Sequence, residues 1–313
     1  VTTTTTPVAF RGRLLAVLLT GQFMANVDTA IVNVAAPSIA TELAATGGQL
    51  ALVVSGYLVA FAVLLVTGAR LGAAHGHRRT FCRGLALFTL ASLACGLASG
   101  PITLIAARFV QGAGAALMGP QVLSGIQLHF AGPHRTRALG WYAIALSGGA
   151  VTGQVLGGLL VSANLFGLSW RPIFLINVLI GVPLLVAARV ILPADDGRRD
   201  RPVTVASVLA LSVSVLLLIV PLVLGRDQHW PLWTWLCLAA SVPAFAGFLR
   251  LDRRAPAPLI AREVLREPLV RNGLLAHGLT TMTYFSLLFV LALYLQQGLR
   301  TGPAYSGLAM VSW

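Results

Sequence analysis

Two charged residues stand inside long apolar runs of this sequence, Asp28 in the first run and Arg108 six residues into the fourth. A charge at mid-membrane costs on the order of 2.5 to 3.5 kcal/mol even on a lenient scale, so such residues are first read as functional. Desolvation raises the pKa of a carboxylate and a nearby cation lowers it, which makes Asp28 a candidate proton carrier. An arginine cannot release its own proton, so Arg108 is expected to tune a carboxylate or bind an anion. A tolerated polar residue and a structural ion pair are the plainer alternatives.

Around Asp28 lie Gln22, Asn26, Thr29 and Asn33, spaced by four, three and four residues. On a helix they form one polar stripe, with Asp28 about 120° away from its centre at 100° per residue. The stripe could line a substrate cavity or hydrogen-bond to a neighbouring helix. Gln111 is a further cavity candidate beside Arg108. In a later run His277, Thr281 and Tyr284 share a face, where a histidine could bind substrate or a proton, or simply pack. Gly149, Gly153 and Gly157, followed by Gly158, form a ridge on which a second helix can pack closely. Cys82, Cys95 and Cys237 have no paired spacing, so no metal site and no disulfide framework is expected. There is no glycine-rich loop ending in Lys and Ser or Thr for ATP, and no intramembrane-enzyme motif; no cofactor and no enzymatic activity are expected.

The elements that must position these residues are membrane helices. Charged residues make up 10% of the 313-residue chain and hydrophobic ones 57%, with a mean hydropathy of +0.84, against roughly 25% charged in soluble domains. Nine runs reach the length of about 20 residues that a span needs: Leu14–Pro37, Leu50–Leu71, Thr80–Gly100, Ile102–Ile126, Ala138–Val161, Pro172–Leu192, Val203–Leu224, Leu232–Leu251 and Gly273–Gln296. A tenth begins after Pro303, and the chain reads as part of a longer protein. The net charge of +13 comes from arginines in alternate gaps between runs, which points to membrane anchoring and away from nucleic acid. Eighteen arginines fall on the side of the N-terminus and three on the other, so the positive-inside rule places the N-terminus in the cytoplasm. The gap 252–272, with its Arg, Glu and Pro, is either a linker or a short amphipathic surface helix.

Four stretches resemble the 14-helix drug:proton antiporter family of the major facilitator superfamily. Residues 27–37, VDTAIVNVAAP, are similar to its L-D-x-T-I-V-N-V-A-L-P motif, and residues 108–116, RFVQGAGAA, to R-x-x-Q-G-x-G-A-A. Gly149 to Gly158 resembles the antiporter motif G-x-x-x-G-P-x-x-G-G, with Gln154 at the usual proline. Residues 170–177, WRPIFLIN, resemble W-R-W-I-F-x-I-N. The loop after the second run departs from G-x-L-x-D-R-x-G-R-[RK], because Ala73 and Ala74 stand where the acid and the first loop arginine are usual. The motif's charge interactions cannot form there, and Arg78 and Arg79 need no role beyond anchoring.

The resemblance implies an all-α polytopic membrane protein of major facilitator fold. Residues 1–13 are then a cytoplasmic N-terminus, 14–192 a complete N-terminal six-helix bundle, 193–251 a linker with two helices, 252–272 a cytoplasmic loop and 273–313 the start of a second bundle. It further implies a bacterial cytoplasmic-membrane antiporter, expected to be monomeric, whose partners are protons, the lipid bilayer and a small-molecule substrate. Asp28 and Arg108 would couple the protons and export would follow by alternating access. A non-transporting membrane sensor of the same fold is the alternative, motivated by Ala73 and Ala74.

Overall fold

The computed structural model describes residues 8–195, 197, 204–225, 228–256, 258–259 and 266–294. These residues form nine α-helices and no strand: α1 Val8–Glu42, α2 Gly47–His75, α3 His77–Gly96, α4 Pro101–His129, α5 Gly132–Ala163, α6 Pro172–Ile191, α7 Val205–Leu224, α8 Leu232–Asp252 and α9 Pro268–Leu293. Seven of them, all but α3 and α9, are long and apolar enough to cross a membrane. In α3 the arginines at 78, 79 and 83 occupy the first two turns and dilute an otherwise apolar helix.

The helices are longer than most of the apolar runs that announce them. α1 passes through Pro37, expected to end it, and continues to Glu42. Ile39, beyond the proline, is fully buried, and Thr41 Oγ1 donates to the Pro37 carbonyl, so packing and a side-chain bond carry the helix onward. Likewise α4 reaches His129, α5 begins at Gly132 and α9 begins at Pro268 rather than Gly273. Polar turns at the ends add to each helix without adding to its apolar run. α2 starts with a capping box: the Gln49 amide donates to Thr46 Oγ1 (3.3 Å) and the Thr46 amide to Gln49 Oε1 (3.0 Å). The surface helix considered for 252–272 falls partly on residues 257 and 260–265, outside the described residues.

The chain divides into two compact units, residues 1–259 and 260–313. In the first, α4 packs on α2 and α3, α1 on α5 and α6, and α3 on α6; α7 and α8 pair with each other, and α7 also touches α2. Two apolar clusters fill this unit. One contains Leu14, Phe81, Phe88, Met118 and Val122; the other contains Ile31, Val53, Leu104, Trp170 and Phe174. Large apolar side chains also face outward, among them Ile102, Leu179, Val190 and Leu209, all more than half exposed, as helices solvated by lipid require. The second unit contributes α9.

The turn between α2 and α3 shows how the chain manages without the charges at Ala73 and Ala74. Gly76 makes it at φ +96°, a conformation that favours glycine, and a Cβ there would lie 2.4 Å from the Asp195 carbonyl oxygen. Asp195, following α6, supplies the carboxylate: Oδ2 accepts from the His77 amide (2.6 Å) and Oδ1 from the Arg78 amide (3.1 Å). These are orphan donors of the first turn of α3, where a negative charge is also favoured by the helix dipole. Arg78 is more than an anchor, since its Nη2 donates to the Arg189 carbonyl of α6 at 2.6 Å.

Candidate functional site

The two deep charges meet. Asp28 of α1 and Arg108 of α4 are fully buried, and Arg108 Nη1 donates to Asp28 Oδ2 at 2.5 Å. A buried ion pair persists only if its remaining hydrogen-bonding capacity is also met, and five helices contribute to that here. Gln111, one turn along α4, donates through Nε2 to Asp28 Oδ1 (2.8 Å) and to Ser92 Oγ of α3 (2.7 Å), while its Oε1 accepts from Arg108 Nη1 (2.6 Å). Asn177 of α6 donates through Nδ2 to Asp28 Oδ1 at 2.7 Å. Arg108 Nε donates to the Val53 carbonyl of α2 at 3.0 Å. Ser92 in turn donates to the Phe88 carbonyl, and the Cys95 thiol lies 3.7 Å from Gln111 Oε1.

Arg108 Nη2 has no hydrogen-bond partner. Its guanidinium instead stands 4.7 Å from the centre of the Tyr57 ring and 5.7 Å from that of Phe174, so aromatic faces take the place of an acceptor. The Tyr57 hydroxyl donates to the Ala25 carbonyl at 3.3 Å, tying α2 to α1 one turn before Asp28. The carboxylate thus accepts three hydrogen bonds, one of them charge-assisted.

The polar stripe of α1 lies elsewhere. Asn26 Nδ2, Thr29 Oγ1 and Asn33 Nδ2 each donate to the carbonyl four residues back, at 2.8, 2.9 and 3.2 Å, and Thr29 also meets the Tyr57 hydroxyl of α2. Gln22 is buried, Asn26 and Thr29 are half-buried and Asn33 is exposed, so the stripe runs from the packed interior to an open surface. The angular offset expected from the sequence separates it from Asp28. Gln111, grouped by sequence with the cavity candidates, is instead fully enclosed in the Asp28 network. In the second unit His277 is exposed and Thr281 half-buried, while the side chain of Tyr284 lies outside the described residues.

The glycine ridge of α5 packs on α1 and holds the helix that carries Asp28. A Cβ at Gly149 would meet Asn26 Cβ at 2.8 Å, one at Gly153 the Val27 carbonyl oxygen at 2.5 Å, and one at Gly157 Ile31 Cγ1 at 3.1 Å. Gly158 has open space around it and Gln154 is exposed, so the ridge is made by three glycines and not four.

Asn177, Ser92 and Tyr57 are members of the network that sequence reasoning did not select. For Asn177 a signal existed: between Pro172 and Ala188 it is the one polar side chain of α6. No comparable signal marks Ser92 among the small residues of α3. A separate cavity of about 300 Å³ opens beside Asp195, lined by Leu14, Phe81, Gln121 and His129 among others; neither Asp28 nor Arg108 reaches it. Among the described residues no cluster of His, Cys, Asp or Glu could hold a metal ion.

Several known proteins are similar to this chain. A probable actinorhodin transporter of Streptomyces coelicolor is 39% identical over 98% of this chain and 54% of its own length. The cephamycin export protein CmcT of Amycolatopsis lactamdurans is 39% identical over 95% of this chain and 61% of its own, and a tetracenomycin C resistance and export protein of Streptomyces glaucescens is 33% identical over 96% and 56%. The chain therefore spans little more than half the length of these relatives. Among solved structures, the peptide transporter POT in complex with sulfate aligns with a TM-score of 0.54 at 16% identity, over 77% of this chain and 53% of that one. The proton:xylose symporter XylE aligns at 0.53 and 13%, over 79% and 55%. At such identities the likeness is one of fold. With the sequence pattern of the Major Facilitator Superfamily matched over residues 18–313, the chain belongs to that superfamily.

Proposed function

We propose that this chain is the N-terminal part of a proton-coupled antiporter of the 14-helix branch, exporting antibiotics or other amphipathic small molecules across the bacterial cytoplasmic membrane. The single observation that carries the reading is the sealed Asp28–Arg108 pair, held in a hydrogen-bond network that draws on five helices. A proton arriving from the outer side neutralises Asp28, weakens its hold on Arg108, and changes which packing of the helices is favoured. Alternating access around a midplane site converts that change into export. Substrate contacts belong to the stripe Gln22, Asn26, Thr29 and Asn33, which runs from the packed interior at Gln22 to an exposed surface at Asn33. The three relatives named for antibiotic transport or export support the substrate class.

The motive for a non-transporting sensor is reduced by Asp195, which replaces the missing loop carboxylate at the start of α3. The test is energised efflux of a lipophilic dye, or of the antibiotics named for the relatives, from cells expressing the whole protein. Wild type is expected to export, a protonophore to abolish export, and Asp28→Asn to fall to background at equal membrane levels. Export by Asp28→Asn at the wild-type rate would remove Asp28 from the mechanism.

A further inference from the structure

Proton exchange at Asp28 raises a hydrogen-bonding problem that the network itself answers. In the ionised form both carboxylate oxygens accept: Oδ2 from Arg108, Oδ1 from Gln111 and Asn177. A protonated carboxyl carries an O–H that must donate, and a buried donor without an acceptor costs about 1–3 kcal/mol. One of the present donors must therefore be exchanged for an acceptor.

Arg108 has no acceptor to offer. Gln111 is locked in its present sense. Turning its amide over would bring Nε2 against Arg108 Nη1, donor against donor, and Oε1 against Ser92 Oγ, whose proton is already given to the Phe88 carbonyl. Asn177 is bound to the network through Nδ2 alone among the described residues. Its amide can turn over about the terminal torsion, which has two roughly equivalent wells, and present Oδ1 where Nδ2 now lies.

We propose that Asn177 is a positioning residue for proton exchange: its amide donates to the ionised Asp28 carboxylate and turns over to accept from the protonated one. The step transfers one proton from a solvent hydronium ion to Asp28 Oδ1, leaving water. The hydrogen bond from Asn177 Nδ2 to Asp28 Oδ1 is lost and one from Asp28 Oδ1–H to Asn177 Oδ1 is formed. Arg108 stays on Oδ2, now a carbonyl oxygen, with its charge no longer balanced by Asp28, and that unbalanced cation is what favours rearrangement of α4 against α1. The other groups facing Asp28 do not take this role. Tyr57 on α2 is engaged with the Ala25 carbonyl, Cys95 on α3 is a weak donor to Gln111, and α6 contributes only Asn177 and the Phe174 ring. The inference rests on Asp28 being the exchanging acid.

Infrared difference spectra, acidic minus neutral, of the whole transporter in lipid separate the two claims. A carboxylic C=O band lost in Asp28→Asn identifies the acid, and its absence from wild type would overturn the proton-carrier reading as well as this one. Given that band, Asn177→Leu is expected to move it to higher wavenumber, because the carboxyl O–H loses its acceptor; an unmoved band overturns the role of Asn177 alone. Wild-type protein labelled with 13C at the asparagine side-chain carbonyl needs no variant to fold. It is expected to show an isotope-shifted asparagine C=O signal that appears with the carboxyl band and is lost in Asp28→Asn. A difference spectrum insensitive to that label also overturns the proposal.

Discussion

At the residue scale the site is one carboxylate with three donors, and its energetics are those of a buried pair. Removing one member of such a pair leaves an uncompensated charge and costs about 3–5 kcal/mol, whereas removing both costs far less. Arg108→Leu is therefore expected to lower stability by about that amount, and Asp28→Asn combined with Arg108→Leu to restore part of it, read as a double-mutant cycle by unfolding of the purified protein. Additive losses would mean that the two residues do not interact. Asp28 and Arg108 were legible in the sequence because a charge inside an apolar run has to be answered by something. Gln111 was legible as a polar residue and misplaced, since one helical turn from Arg108 allows both an open face and the network, and only packing against α3 decides between them. Ser92 gave no sign, because a hydroxyl in a transmembrane helix usually bonds to its own backbone, as Ser92 also does.

At the element scale, close approach of backbones holds the network together. A side chain at Gly153 must displace the carbonyl of Val27, the residue before Asp28, while one at Gly158 meets nothing within 4 Å. Gly153→Val is expected to cost about 1–3 kcal/mol and to impair transport, with Gly158→Ala neutral within about 0.5 kcal/mol, both measured by thermal unfolding in detergent and by efflux. Three of the four glycines of the ridge were readable from their spacing of four; the fourth follows in sequence but points elsewhere, which spacing itself foretells. The Asp195 bonds to α3 were not readable, because they join residues 117 and 118 positions apart, with three further helices between them. Asp195→Ala is expected to cost about 1 kcal/mol, as loss of a helix cap does, and to speed hydrogen exchange at the His77 and Arg78 amides in particular. Unchanged exchange there would deny Asp195 the capping role.

At the scale of the whole molecule, nine apolar runs became nine helices, with ends displaced by three to six residues wherever polar turns extend a helix beyond its apolar core, as at α1, α5 and α9. From the arginine asymmetry we propose that the N-terminus lies in the cytoplasm. Single cysteines at Ser169 and His134, in a background without the three native cysteines, are expected to react with an impermeant thiol reagent from outside at 169 and not at 134; the reverse pattern would invert the topology. Asp28 has no exposed surface in this conformation, so solvent reaches it only through states in which the helices have moved. The most direct test records protons with a pH indicator in weakly buffered detergent solution while a transported dye or antibiotic is added to the whole purified transporter. Substrate binding is expected to release protons from the wild type, with a dependence on starting pH, and none from Asp28→Asn; equal release from both would contradict Asp28 as the proton carrier.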